Sequence, residues 1–513
     1  MAQFNPDAPA PLRTLDFTPF ESVLSADFTA RVPDLDSIIF EASVQDLQRT
    51  MAAGDLDAVT LVTYYLYRIR AYDVAGLQSV IELNPDVLTI AAERDTERAA
   101  GNVRGPLHGI PILLKDNITT GDRMHTSAGS AALIDNRGDR DALIVAKLRE
   151  AGAVILGKAN LSEFANYVDP DLPNGFSAVG GQVRQPYDDS LDPLGSSTGS
   201  AVAVSANLVT IAIGTETSGS VIAPAAINGV VGIFPSRGLI SRDHIVPLAE
   251  QQDTAGPIAR TVADAATLLT VIAGVDANDP VTQQAADLAG TDFTSFLVPD
   301  TLRGKRLGIR AEDAADPQIR VERGYDSIIA NLEAAGAEVV LFEAESPDLM
   351  ATIYDLLNNG LRLGLPDYLQ AVNPDGSIKT LADVVAFNAN NPAHNVPYGQ
   401  RHLQSAAEST LTLEQYIVIG AERRALAGTH IRDILREHRL DAIVSQNNHY
   451  SLIYATAGFP AVTVPTGLRA DGAPYGVTFT GDHLQDGALI GMAYAYEQAV
   501  NGRVIPQVGQ PGT

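Results

Sequence analysis

Two serine-rich segments and one lysine carry the side chains from which a hydrolytic site could be built. The first segment is Gly195-Ser196-Ser197-Thr198-Gly199-Ser200-Ala201. The second, Gly214-Thr215-Glu216-Thr217-Ser218-Gly219-Ser220-Val221, places Ser220 24 residues beyond Ser196. Small residues let backbone N–H groups approach a substrate closely, which stabilisation of an oxyanion requires. An isolated Gly/Ser tract is equally the composition of a flexible loop. Neither segment ends in the Gly-Lys-Ser/Thr of a phosphate-cradling loop, so no nucleotide is implied.

Lys115 closes the apolar run Ile110-Pro111-Ile112-Leu113-Leu114, which puts its ammonium at the end of a buried strand. Burial disfavours the charged form, and a depressed pKa makes lysine a usable base. The alternative is a snorkelling or salt-bridged lysine, with Asp116 as the adjacent partner. Lys147, on a helix expected over 141–152, reads as solvent-facing. Lys158, after an apolar strand, reads as half of a structural ion pair. His108 and His125 flank Lys115 in sequence but read as loop or core residues.

Gly195-Ser196-Ser197-Thr198-Gly199 also fits Gly-x-Ser-x-Gly, the nucleophile elbow of another hydrolase class, which would make Ser197 the nucleophile. That elbow must follow a strand. The preceding residues 185–194 hold two prolines and three aspartates, so a central strand there is not expected.

The elements that must position these residues alternate. Helical spacing begins at a capping Ser43 and runs through Leu47, Met51, Leu61, Val62, Tyr65, Leu66 and Ile69. A helix over 85–100 precedes the run at 109–115, and the helix over 141–152 leads to the strand 153–157. Similar units recur at 306–309, 320–335, 338–343, 441–445, 461–465, 475–480 and 488–500. Such alternation argues for an α/β fold with a largely parallel sheet. Residues 1–37, rich in Pro and Asp, read as an extended N-terminal arm. No internal repeat appears.

Composition excludes several classes. With no Cys among 513 residues, thiolate metal sites, cysteine nucleophiles and disulfides are ruled out. The net charge of −27 repels a phosphate backbone, so nucleic acid is not an expected partner. Only five lysines stand against 30 arginines, so each lysine can be weighed individually. No apolar run reaches a membrane span and the N-terminus shows no secretory pattern, so a soluble, cytoplasmic protein is expected.

Several linked stretches resemble the amidase signature family, most closely its peptide amidases. They are Gly105-Pro106-Leu107-His108-Gly109-Ile110-Pro111 with Lys115-Asp116-Asn117, then Ala151 through Glu163, both Gly/Ser segments, Ala225 through Gly232, and Asp253-Thr254-Ala255-Gly256-Pro257. Weaker similarity continues through Pro460–Pro465 and Met492–Gln498. The resemblance covers most of the chain after residue 40.

The resemblance implies a single large α/β domain over 38–505, with a central mixed β-sheet covered by helices on both faces. Within it, composition sets off the signature core at 105–265, poor in charge, from a stretch at about 280–440 richer in charge and Asn that reads as a helical excursion, with a tail at 506–513. The resemblance also implies a Ser–Ser–Lys triad in which Ser220 is the nucleophile, Ser196 the bridging serine held through a cis peptide, and Lys115 the base. The oxyanion hole maps onto the backbone N–H groups of Thr217, Ser218, Gly219 and Ser220. No cofactor and no metal are implied. Leu194 and Thr198 stand where many members have Gly, and Ile222 where many have Arg, as in peptide-amidase-like members. The expected substrate is the C-terminal amide of a peptide, turned over by a monomer or homo-oligomer. The alternatives are an amidase of aryl, acyl or carbamate substrates, an amidotransferase component that passes ammonia to a partner protein, and an inactive binding protein. The intact Lys115, Ser196 and Ser220 argue against the last.

Overall fold

Three apolar runs form the centre of the molecule: β2 (Pro111–Lys115), β3 (Val154–Ala159) and β6 (Ile211–Glu216), with every residue buried. Unbroken rather than alternating hydrophobicity is what a strand covered on both faces needs. They are parallel neighbours, with Leu113 of β2 opposite Gly157 on one side and Ala212 on the other. The computed structural model describes residues 8–314 and 324–508.

The remaining strands of this sheet are β1 (Val80–Leu83), β7 (Val231–Phe234), β8 (Thr254–Ala259), β9 (Arg306–Arg310), β10 (Glu338–Phe342), β11 (Ala442–Gln446), β12 (Ala461–Leu468) and β13 (Pro474–Thr480). Together they make one 11-stranded sheet in the order β1-β3-β2-β6-β8-β7-β12-β13-β11-β9-β10. Helices flank it, giving a single large α/β domain whose main apolar cluster runs from Phe20 to Tyr496.

The sheet is mixed, as the resemblance implied, and not largely parallel as the alternation suggested. Among the described residues, four of its neighbour pairings are parallel and six antiparallel. Loop length explains part of the difference. Only residues 469–473 separate β12 from β13, which allows a hairpin and forbids the crossover that parallel strands need.

Three expectations are corrected. The segment before residue 38 is not an extended arm: Ala26–Ile39 is a helix capped by the Ser25 side chain, with Phe28, Val32, Leu35 and Ile39 buried. Apolar spacing of four, three and four residues outweighs the Pro and Asp content. The helical stretch after Ser43 is two helices, Val44–Ala53 and Ala58–Arg68, because Gly54 turns the chain at φ +83°. Within 280–440, β9 and β10 belong to the end of the main sheet, and most of the helical residues lie after them, over 353–437. The helix expected from residue 320 is seen as Tyr325–Ala334. Residues 320–323, the first seven of the expected arm and the last five of the expected tail lie outside the described residues.

Candidate active site

Lys115 and Glu216 end the adjacent parallel strands β2 and β6. The carboxyl ends of parallel strands are where an α/β sheet presents side chains to a ligand. Lys115 is fully buried. Its Nζ lies 2.7 Å from Ser196 Oγ and 3.1 Å from the Thr215 carbonyl oxygen. Burial pushes the ammonium down to about 7, against the opposing pull of the Glu216 and Asp253 carboxylates. Asp116 is not its partner. That carboxylate accepts from the Ser127 hydroxyl and backbone N–H.

The first serine segment reaches Lys115 because its residues are small. Gly195–Ser196 is a cis peptide, and the helix Thr198–Ser205 follows at once. A Cβ on Gly195 would stand 2.3 Å from Ser162 Oγ, and one on Gly199 would stand 2.3 Å from the Ser79 carbonyl and 2.4 Å from that of Asn160. The composition that could signal a flexible loop here reflects close backbone packing.

Ser197 holds the two segments together. Its hydroxyl donates to the Thr215 carbonyl at 3.0 Å and accepts from the Thr215 N–H at 3.1 Å. The Ser197 N–H donates to the Ser220 carbonyl at 3.1 Å. Both polar roles of that hydroxyl are therefore occupied, and no strand precedes it at 185–194. The elbow geometry that would make Ser197 a nucleophile is absent.

Ser220 lies in the turn after β6 and is 9% exposed. Gly219 before it adopts φ +85°, a left-handed conformation suited to glycine. One expectation fails here. The Gly219 N–H, placed among four oxyanion donors, instead donates to Glu216 Oε1 at 2.6 Å. A carboxylate that is 1% exposed needs donors from the chain, and the nearest turn N–H supplies one.

Glu216 itself was not assigned a role from the sequence, although a signal was present. It is the only charged residue between Gly195 and Val221, and a charge inside such a run needs a reason. Beside it, Thr217 Oγ1 donates to Asp253 Oδ1 at 2.5 Å. Asp253 Oδ2 accepts from the N–H groups of Leu248 and Ala249.

A cavity opens next to these groups, lined by Asn117, Ala165, Thr217, Val246, Leu248 and Asp253. Asn117 donates through Nδ2 to Thr215 Oγ1 at 2.9 Å. Among the described residues no group of three His, Asp or Glu side chains is placed to hold a metal ion, and no helix is long and apolar enough to cross a membrane.

The other lysines and histidines separate from this site. Lys158 is fully buried with Nζ on the Ile118 carbonyl at 2.6 Å and Thr126 Oγ1 at 3.0 Å. Asp116 acts on it through its field, without direct contact. Lys147 is half-buried, not solvent-facing, because its Nζ caps the Ala273 carbonyl. His108 is a core residue on the Arg94 carbonyl, and His125 pairs with Glu82.

Comparison with known proteins agrees with this architecture. The Amidase family model matches residues 60–446. The crystal structure of the peptide amidase PAM with the competitive inhibitor chymostatin is 46% identical and superposes with a TM-score of 0.86, covering 91% of this chain and 99% of that one. An amidase family protein from Bacillus anthracis str. Ames is 35% identical at a TM-score of 0.93, covering 99% and 100%. A glutamyl-tRNA(Gln) amidotransferase component of Microcystis aeruginosa is 30% identical over 90% of this chain and 98% of its own. The chain is an enzyme of the amidase signature family.

Proposed function

We propose that the protein is a serine amidohydrolase converting a carboxamide and water to a carboxylic acid and ammonia, with the C-terminal amides of peptides as substrates. The observation that carries this reading is the 2.7 Å separation of Lys115 Nζ and Ser196 Oγ inside a fully buried environment. An amine held near a pKa of about 7 is neutral for part of the time at physiological pH and can accept a proton.

Ser220 Oγ attacks the amide carbonyl carbon, and its proton passes to Ser196 Oγ as the Ser196 proton passes to Lys115 Nζ. The carbonyl π pair moves onto oxygen, which the N–H groups of Thr217, Ser218 and Ser220 receive. Each such donor contributes a few kcal/mol in typical hydrolases, about 3–4. The tetrahedral adduct collapses with cleavage of the C–N bond, and the same relay run backwards delivers a proton to the departing nitrogen. Ammonia leaves an acyl-enzyme on Ser220. Water then repeats the sequence and releases the acid.

Two features support a peptide substrate. One is the likeness to peptide amidase PAM across nearly the whole chain. The other is Ile222, a buried apolar residue directly after the turn, where a buried arginine would favour an anionic substrate.

The test is a panel of peptide amides, peptide acids, acyl amides and anilides, with released ammonia or amine quantified. Peptide amides should be turned over best, and Ser220→Ala should lose both hydrolysis and labelling by a fluorophosphonate. Full labelling of Ser220→Ala would remove Ser220 from its role. Preference for acyl amides or anilides would move the substrate to the alternative amidase class, and ammonia release only with partner proteins present would indicate an amidotransferase component.

A further inference from the structure

One buried carboxylate controls the backbone around Ser220. Glu216 is 1% exposed. Its Oε1 accepts from the Gly219 N–H at 2.6 Å and from the Tyr454 hydroxyl at 3.0 Å. Its Oε2 accepts from the N–H groups of Val221 at 2.7 Å and Ile222 at 3.0 Å. All four contacts donate to the carboxylate and favour its charged form, against the burial that pushes its pKa up. The three N–H groups lie on both sides of Ser220. The turn therefore cannot rotate Ser220 without breaking hydrogen bonds to a buried carboxylate.

The latch comes from far along the chain. Tyr454 is fully buried on the helix Ser451–Ala457, 238 residues from Glu216. That helix supports the same turn twice more. A Cβ on Gly219 would come within 3.1 Å of Ser451 Oγ, and Thr456 Oγ1 reaches Gln252 Oε1, whose Nε2 donates to the Thr217 carbonyl at 3.1 Å.

We propose that Glu216, latched by Tyr454, is a positioning residue for hydrolysis: it fixes the backbone on both sides of Ser220, and with it the nucleophile and the oxyanion donors. The proposal rests on the assignment of Ser220 as nucleophile. It gives the Gly219 N–H to the scaffold, and leaves the oxyanion to its neighbours.

Glu216→Gln keeps the volume and removes the charge. An amide presents acceptor lone pairs on one side only, so its NH2 must face either the Gly219 N–H or the pair from Val221 and Ile222. Donor then meets donor, and one side of the turn is released. The expected result is a fall in kcat of about 100-fold with KM within about threefold. Tyr454→Phe removes one donor and leaves the carboxylate, so a fall in kcat of about 3–10-fold is expected.

The pH profile separates positioning beside the relay from a general structural role. The carboxylates that face Lys115 are Glu216 and, just before β8, Asp253. In Glu216→Gln one of the two charges is gone, so the acid limb of kcat/KM moves to lower pH. In Tyr454→Phe the charge stays and so does the limb. A Glu216→Gln enzyme with kcat within threefold of the parent, or with kcat reduced and the limb unmoved, overturns the proposal. If Glu216→Gln fails to fold by circular dichroism, Tyr454→Phe carries the test, and an unchanged kcat there overturns it. Fluorophosphonate labelling keeps the two readings apart. Labelling of both parent and Ser220→Ala sinks the nucleophile assignment, whereas labelling of Glu216→Gln at the parent's Ser220 rate sinks only the positioning role.

Discussion

Lys115 Nζ lies 2.7 Å from Ser196 Oγ, although 81 residues separate them in sequence. The contact exists because β2 ends at Lys115 and the serine segment folds back beneath β6, with Ser197 bonded to Thr215 in both directions. The lysine placed there has two neutral oxygens as its hydrogen-bond neighbours. Full burial, with no carboxylate in contact, favours the neutral amine.

Replacing this amine should remove chemistry and spare the fold. Lys115→Met keeps an unbranched side chain of similar length in a fully buried site and removes the cost of desolvating an ammonium. We expect kcat to fall by about 10²–10⁴-fold, the usual contribution of a positioned base. The melting temperature should stay within a few degrees of the parent, about what a change near 1 kcal/mol produces. Ammonia release and a thermal melt check the two halves.

The pH dependence follows from the same residue. A base must be neutral to act, and Lys115 is neutral above its folded pKa of about 7. Activity should therefore fall as pH drops through that value, by about tenfold per unit once protonation is complete. A flat kcat/KM between about pH 5 and 8 would take lysine out of the relay.

The adjacent serines should behave differently. Ser196→Ala removes the bridge to Lys115 and should lose activity by about the same factor as loss of the base. Ser197→Ala breaks the hydroxyl bonds to Thr215 in a fully buried site. It should keep substantial activity and lose about 1–3 kcal/mol of stability, read from urea unfolding. A Ser197→Ala enzyme as inactive as Ser196→Ala would reverse the two roles.

Glycine positions test whether the serine segment is packed or loose. A Cβ at Gly199 meets two backbone carbonyls at 2.3 and 2.4 Å, neither of which can swing aside like a side chain. Gly199→Ala should cost more than about 2 kcal/mol in urea unfolding, at the severe end for overpacking, and should slow fluorophosphonate labelling. Gly76→Ala, where a Cβ meets nothing within 4 Å, serves as the control and should fold like the parent.

Local sequence made much of this molecule legible. The buried runs at 111–115 and 154–159 announced their strands, because a continuous apolar stretch ended by a turn has few other solutions. Ser43 announced its cap, with Asp46 completing a capping box. The pairing and direction of strands were less legible. β7 has only four residues and β8 is built largely of Ala, Gly and Pro, and they become antiparallel partners between β6 and β12 only because the assembled sheet supplies both edges. Residues 1–37 read as an arm by composition, yet Ala26–Ile39 form a helix because the core accepts Phe28, Val32, Leu35 and Ile39.

The same division runs through the candidate site. Residue type and order decided which groups were present: a lysine after an apolar strand, two serines in small-residue segments, and no cysteine to compete with them. Those properties are local, and motif spacing records them. Tertiary structure alone decided that Lys115 faces Ser196 and not Asp116. It also decided that the Gly219 N–H belongs to Glu216, and that a tyrosine 238 residues away closes the carboxylate's shell. The reason is physical: a buried polar group takes whatever partner the packed chain brings within about 3 Å, and sequence separation does not enter that choice.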